Sequence, residues 1–138
     1  MAQIAESQAT LRIMGDDLVP GEISDLLGCE ASRQQTTGEE LVAPKSGRTR
    51  VARSGMWRLF AKKREPEDLD GQVSELLGKL TDDLAVWADL SARFKIDLFV
   101  GLFMNVTNEG CSVSAETLRK LGERGIELGL DIYGVIDE

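Results

Sequence analysis

Four stretches of the chain alternate apolar and polar residues with a period of two, the pattern of half-buried strands. In the first, residues 9–15, the side chains of Leu11 and Ile13 share one face and Arg12 lies on the other. The other three strands are predicted at residues 56–62, 95–106 and 126–136. Both faces of the third stretch are partly apolar, so we predict that this strand lies in the interior of the sheet.

Apolar residues at steps of three and four predict helices between these strands. A short helix follows the first strand, with Pro20 in its first turn and Gly28 just after its end. The strongest helical pattern covers residues 67–94. Within it, Thr81–Asp83 has the composition of an internal N-cap, so we predict a kink or break there. Ser114 is expected to cap a further short helix.

These elements predict an α+β fold: a single-layer mixed or mostly antiparallel sheet of about four to five strands. One long helix, continuous or broken, and two short helices pack against it. The length of 138 residues predicts a single domain over residues 1–138. We expect residues 1–8 to form a disordered N-terminal tail. Residues 29–54 lose periodicity and are expected to form a long basic loop, with one short strand near residues 48–53.

Charge is distributed unevenly along the chain. The net charge is −8 and the pI is about 4.6, so the surface is expected to repel the phosphate backbone of nucleic acids. Residues 41–64, however, hold eight of the 16 basic side chains and no acidic one. Two interpretations are open: this segment binds an anion or an acidic partner, or it folds against the acidic remainder and is neutralised there.

The candidate binding residues in this segment are Arg48, Arg50, Arg53, Trp57 and Arg58. Arginine is well suited to phosphate and carboxylate groups, because its planar donors match the geometry of both. An exposed tryptophan beside Arg58 would be able to stack on a base. Trp57 also alternates with Leu59, however, and that pattern favours a place in the core.

Asp16 and Asp17, directly after the first predicted strand, are the other candidate site residues. Two carboxylates at such a point are consistent with a magnesium site or a general base, whereas the simpler interpretation is that they cap the helix near Pro20. The chain has no histidine, which removes the commonest general base and metal ligand. No glycine-rich phosphate loop or zinc-ligand spacing occurs in the sequence. We therefore expect no catalytic residue, no metal and no cofactor.

Cysteine usage and hydropathy bear on the compartment. Cys29 and Cys111 lie far apart and are expected to be reduced thiols, as in a cytoplasmic protein. Residues 1–10 lack the basic and apolar regions of a secretory signal. The longest apolar run, residues 98–104, is short of the roughly 20 residues that a membrane span needs. We expect a cytoplasmic protein that does not enter a membrane.

Several short motifs occur in order along nearly the whole chain. They are Gly15-Asp16-Asp17-Leu18-Val19-Pro20, Gly55-Met56-Trp57, the leucine-rich helix, and Val113-Ser114-Ala115-Glu116-Thr117-Leu118 leading to Leu130-Asp131-Ile132-Tyr133. Their order and spacing resemble a bacterial family catalogued as domain of unknown function 4279. The resemblance implies a small α+β protein and brings with it no activity, cofactor or catalytic residue. Residues 29–54 depart from the family pattern, because this loop is longer and more basic.

Two hypotheses on function remain in view, with a weaker third. In the first, the chain is a non-enzymatic interaction protein that acts through a protein partner or by self-association, for example an immunity-type inhibitor whose acidic body blocks a basic protein. Phe99 and Phe103, on the second face of an interior strand, would then be covered by a helix or by another chain. In the alternative, it is a small-molecule or phosphate-ligand binding module that uses residues 45–64. The third is a metal-dependent hydrolase centred on Asp16 and Asp17.

Overall fold

The computed structural model describes residues 2–135. Its elements, in chain order, are β1 (Ala2–Gln3), β2 (Glu6–Gly15), α1 (Pro20–Leu27), β3 (Arg33–Gln35), β4 (Glu40–Val42), β5 (Thr49–Val51), β6 (Gly55–Phe60), α2 (Leu69–Leu77), α3 (Leu84–Arg93), β7 (Lys95–Phe103), β8 (Glu109–Gly110), α4 (Ala115–Glu123) and β9 (Glu127–Tyr133). The four predicted strands correspond to β2, β6, β7 and β9. The last was predicted to reach residue 136, which lies outside the described residues.

Five strands form the main sheet, in the spatial order β3-β6-β2-β7-β9. The central strand β2 runs antiparallel to β6 and β7, and β3 is antiparallel to β6, whereas β9 is parallel to β7. The sheet is therefore mixed, as the sequence predicts for an α+β fold. β7 lies between two other strands, so its predicted interior position is confirmed. β1 pairs with β8, and β4 with β5, in two small additional sheets.

The helices pack on one face of the main sheet, and the core lies between the two layers. Leu11 on β2 and Leu98 on β7 point to this face, and each is 1% exposed. Burying side chains of this size stabilises the fold by about 1.5–3 kcal/mol each before the entropy cost of ordering them. The opposite face carries exposed aromatic side chains, including Phe60 and Phe99. We call it the open face.

The predicted long helix is two helices, α2 and α3, so the described residues form four helices rather than one long and two short ones. The break falls at Thr81–Asp83, as predicted. Asp83 caps α3, because its carboxylate accepts a hydrogen bond from the Ala85 N–H at 3.0 Å. The indole N–H of Trp87 donates to the carbonyl of Thr81 at 2.9 Å and fixes the turn. Two short helices can each follow the core face, where one helix of about 42 Å would overrun it.

The N-terminal residues do not form the disordered tail that was expected for residues 1–8. β1 pairs in parallel with β8, and Ile4, just after it, is only 5% exposed. Ser7 is fully buried on β2, and its hydroxyl donates to the side-chain carbonyl of Gln72 at 2.7 Å. Apolar burial and this buried hydrogen bond hold the segment in place. Met1 lies outside the described residues.

Residues 29–54, expected to form a loop with one short strand, contain three strands. The predicted strand near residues 48–53 is β5, which forms a hairpin with β4. The third, β3, extends the main sheet beyond β6. Its residues Arg33–Gln35 are all polar, so no apolar alternation marks them in the sequence. Backbone pairing rather than side-chain burial makes them a strand.

Candidate functional site

One row of charged side chains crosses the open face from edge to edge. The strand register aligns, from β3 through β6, β2 and β7 to β9, the residues Arg33, Arg58, Arg12, Asp97 and Glu127. Residues paired across neighbouring strands project to the same face and lie about 5 Å apart. The row is therefore basic over its first three strands and acidic over its last two.

The middle of this row is neutralised within the fold. The Arg12 guanidinium donates to both carboxylate oxygens of Asp97, from Nε at 2.8 Å and from Nη2 at 2.6 Å. This bidentate bond raises the pKa of Arg12 above its ordinary value, although burial acts in the opposite direction. The same guanidinium lies over the ring of Phe99, 4.5 Å from its centre. Arg12 is thus fully engaged with groups of its own sheet.

The basic end of the row has no such compensation. Arg58 makes no ion pair with any residue from 2 to 135, and its Nε donates only to the sulfur of Met56, a weak acceptor. Partial burial lowers the pKa of Arg58, and repulsion from Arg12, Arg33 and Arg50 lowers it further. The fold therefore holds positive charges together at an unfavourable distance. An anion placed here would relieve that repulsion.

The ten arginines of the chain divide into two groups of five. Members of the first group each form an ion pair with a carboxylate of the same molecule: Arg12, Arg64, Arg93, Arg119 and Arg124. Members of the second form none within residues 2–135 and lie on β3, on β6 and in the segment that joins them: Arg33, Arg48, Arg50, Arg53 and Arg58. We call this second group the arginine surface.

The grouping bears on the two interpretations of the basic segment. Neutralisation by the acidic remainder holds for its last two residues, since Lys63 lies 3.1 Å from Glu65 and Arg64 lies 2.8 Å from Glu75. The four arginines of the segment that belong to the arginine surface form no ion pair within residues 2–135, which favours the first interpretation for them. Sequence reasoning missed the fifth member, Arg33, because it lies outside the acid-free stretch.

Two grooves give the arginine surface its shape. One, of about 600 Å³, lies between β3 and the β4–β5 hairpin and is lined by Arg33, Arg48 and Arg50 together with Leu41 and Val42. Among residues 2–135, none of those that line this groove is acidic. The other, of about 860 Å³, is lined by Arg50 and Arg53 together with Gln35, which borders both grooves. Both grooves are open to solvent.

Aromatic side chains flank the charged row on the open face. Phe60 follows Arg58 by two residues on β6 and is 45% exposed. Further along the same face, Phe103 and Tyr133 stack in parallel with ring centres 4.7 Å apart. The described helices lie against the other face, so the helix considered as a cover for Phe99 and Phe103 is not found among residues 2–135. Arginine and aromatic residues together are the composition typical of protein interfaces.

Trp57 does not belong to this surface. Its side chain is 0% exposed and points to the core, where the indole N–H donates to the hydroxyl of Ser24 on α1 at 3.1 Å. The alternation with Leu59 therefore correctly predicted a place for Trp57 in the core. The prediction that Trp57 is a binding residue is wrong. The reason is geometric: neighbouring residues of a strand project to opposite faces, so Arg58 and Trp57 cannot line the same surface.

Asp16 and Asp17 are exposed in the turn after β2, and within residues 2–135 neither forms an ion pair with an arginine. Neither caps α1, because the N-cap residue is Val19 and no side chain bonds to the first turn, so that prediction is wrong. The backbone carbonyl of Asp16 accepts a hydrogen bond from the Thr37 hydroxyl at 2.7 Å. Within residues 2–135 no three histidine, cysteine or acidic side chains come together as metal ligands.

Two further expectations from the sequence concern the cysteine thiols and membrane insertion. Cys29 and Cys111 are both free thiols, and burial, followed by the nearby Glu67, raises the pKa of Cys111. A raised pKa disfavours the reactive thiolate. Among the described helices, none is long and apolar enough to span a bilayer.

Comparison with known proteins identifies the family. No curated protein and no solved structure matches the chain. The family model described as Domain of unknown function (DUF4279) matches residues 5–135, which is nearly the whole chain and includes both β2 and β9. The chain therefore belongs to the DUF4279 family.

Proposed function

We propose that this protein is a non-enzymatic interaction protein and that its arginine surface binds an acidic protein partner. The observation that carries the proposal is the separation of the arginines: five are paired with carboxylates of the fold, and the five of the arginine surface are not paired by any residue from 2 to 135. The chain has 24 acidic and 16 basic side chains, so carboxylates outnumber basic groups. Because these five arginines still form no ion pair within residues 2–135, we expect their carboxylate partner to come from another molecule.

The shape of the surface supports a protein partner over a small substrate. Small-molecule sites are concave and enclose most of their ligand, whereas the charged row lies on a sheet face with exposed Phe60 and Phe99 beside it. The immunity-type version of the proposal, in which the acidic remainder covers a basic protein, would use the opposite surface. Arg33 and Arg58 favour an acidic partner instead.

Two further properties belong to this proposal. We expect no nucleic acid as partner, because a duplex carries a dense, continuous row of phosphates, which the net charge of −8 opposes more strongly than a partner with a few local carboxylates. The two free thiols support a cytoplasmic location, where cysteines stay reduced.

The proposal is tested by comparing what three forms of the protein retain from an extract of the source organism. The first is the wild type, the second carries Arg33→Glu and Arg58→Glu, and the third carries Arg119→Glu and Lys120→Glu on α4, which gives the same net charge. An acidic protein retained by the first and third forms but not by the second, and then shown to bind one-to-one by calorimetry, is the expected result. Equal retention by all three forms, or retention of nucleic acid alone, contradicts the proposal.

The groove beside β3 favours the second candidate, a phosphate-ligand module. Its volume of about 600 Å³ is within the range of ligand pockets, and three arginines line it. This candidate predicts that millimolar inorganic phosphate or pyrophosphate raises the melting temperature of the wild type and not that of Arg33→Gln. An unchanged melting temperature excludes it.

A further inference from the structure

The groove between β3 and the hairpin adjoins an edge of the main sheet. Among the described strands β3 pairs only with β6, so its other edge has no strand beside it. The groove is lined by all three residues of β3 and by residues of the hairpin, and by none of β6. It therefore lies along the outer edge of β3, where backbone N–H and C=O groups are available to a further strand.

The lining of this groove is both basic and apolar. Arg33 lies on the β3 side, and Arg48 and Arg50 lie on the hairpin side. Leu41 and Val42 supply the apolar part, and Val42 is 62% exposed. Apolar side chains beside arginines match the composition of protein interfaces, in which arginine is enriched.

We propose that this groove receives an extended acidic segment of the partner protein, which adds to the outer edge of β3 as a sixth strand. In this mode, known as β-augmentation, the backbone supplies hydrogen bonds and alternate side chains supply specificity. A segment that alternates acidic and small apolar residues fits both parts of the lining, because its side chains point in two directions with a period of two. Three residues of β3 match about 10 Å of extended chain.

This inference rests on the proposed function, since it specifies the form in which the acidic partner binds. Unlike the phosphate alternative, it requires a ligand that has a peptide backbone. Inorganic phosphate would satisfy Arg33 and Arg50 but would leave the edge of β3 unpaired.

The test uses the full chain and a labelled hexapeptide that alternates glutamate and valine. We expect saturable binding by fluorescence anisotropy and at least about tenfold weaker binding by Arg50→Gln, because a charged hydrogen bond is lost. Arg119→Gln on α4 is the matched control and should bind as the wild type does. A peptide with glutamine in place of glutamate should bind at least about tenfold more weakly.

Hydrogen exchange during the same titration tests strand addition itself. Amides of residues 33–35 should exchange more slowly in the presence of the glutamate peptide, whereas millimolar inorganic phosphate should leave their exchange unchanged. Peptide binding without slower exchange in β3 overturns strand addition. Displacement of the peptide by an equal concentration of phosphate overturns the choice of an acidic segment. If the peptide does not bind although an acidic protein is retained through Arg33 and Arg58, the inference fails and the proposed function stands.

Discussion

Arg12 and Arg58 are direct neighbours on the open face, one on β2 and one on β6, and they differ in their carboxylate partners. Arg12 is held by both oxygens of Asp97, which raises its pKa. Arg58 receives no carboxylate from residues 2–135, and burial and neighbouring arginines lower its pKa. The arginine on β2 therefore stabilises the fold through an ion pair, whereas the arginine on β6 has no carboxylate partner within residues 2–135.

The difference extends to the two sides of the molecule. On the helices, arginines are tied to nearby acids: Arg93 to Glu22 and Asp89, and Arg119 to Glu123. Exposed pairs of this kind contribute about 0–1 kcal/mol each, so they do little for stability but neutralise the surface. On the β3 edge no such neutralisation occurs within residues 2–135. The comparison supports the proposal that this edge, and not the helical side, binds an anionic partner.

The largest expected effect is at Arg12. Arg12→Met leaves the carboxylate of Asp97 without its partner. This carboxylate is buried, since the side chain of Asp97 is only 7% exposed. We expect the free energy of unfolding to fall by about 3 kcal/mol, near the lower end of the range for a broken buried pair, because Arg12 is itself partly exposed. Urea denaturation measures this change. A loss below about 0.5 kcal/mol would show that the pair contributes no more than an exposed one.

A smaller effect is expected on acidification, through the helical side. The Ser114 N–H donates to Asp70 at 3.0 Å, joining α2 to α4, and lowers the pKa of Asp70 below its ordinary value of 3.8. Because the folded state favours the ionised form, this stabilisation is present above pH 3.8 and is lost as the pH falls through the lower folded value.

Asp70→Asn should therefore reduce the free energy of unfolding by about 1 kcal/mol at neutral pH and make its decline below pH 4 shallower. Denaturation curves measured between about pH 2 and pH 7 check this difference. Asp82→Asn is the control, since Asp82 is exposed and accepts no hydrogen bond within residues 2–135. Parallel curves for the wild type and Asp70→Asn would contradict the role of this bond.

A carboxylate added to the open face should remove the difference between Arg12 and Arg58. Thr10 lies on β2 opposite Phe60, diagonally across from Arg58 on the same face. Thr10→Glu is expected to raise the free energy of unfolding by about 0.5 kcal/mol through a cross-strand ion pair and to weaken binding of acidic ligands. Thr10→Gln, with the same shape and no charge, should do neither. If both variants bind as the wild type does, Arg58 is not part of the binding surface.

The smallest expected effect is at Arg58 itself. Arg58→Met removes a partly buried charge and its repulsion from Arg33 and Arg50. We expect the free energy of unfolding to stay within about 0.5 kcal/mol of the wild type or to rise. A loss comparable to that of Arg12→Met, measured in the same urea series, would show that Arg58 has a structural partner after all.

Local patterns predicted much of this fold, because strands and helices depend on neighbouring residues. The alternation around Leu11 gave β2, and Asp83 gave the break between α2 and α3. Capping by Asp16 or Asp17 was wrong, since the helix begins from Val19 without a side-chain cap. β3 was missed because pairing with β6, and not its own side chains, makes it a strand.

The candidate site was predicted only in part. Charge segregation is visible in the sequence and indicated Arg48, Arg50, Arg53 and Arg58. The strand register depends on contacts between residues that are distant in the sequence. It places Arg33 and Arg12 beside Arg58, and it pairs Asp97 with Arg12 and not with Arg58. No local pattern contains that information.

The most direct test of the central claim is a titration of the protein with poly-L-glutamate, followed by NMR of the arginine Nε–H resonances. The arginine surface should respond, so the signals of Arg33, Arg48, Arg50, Arg53 and Arg58 are expected to shift. The five arginines that already hold carboxylates should keep their positions. Equal shifts in both groups, or shifts in neither, would contradict the account.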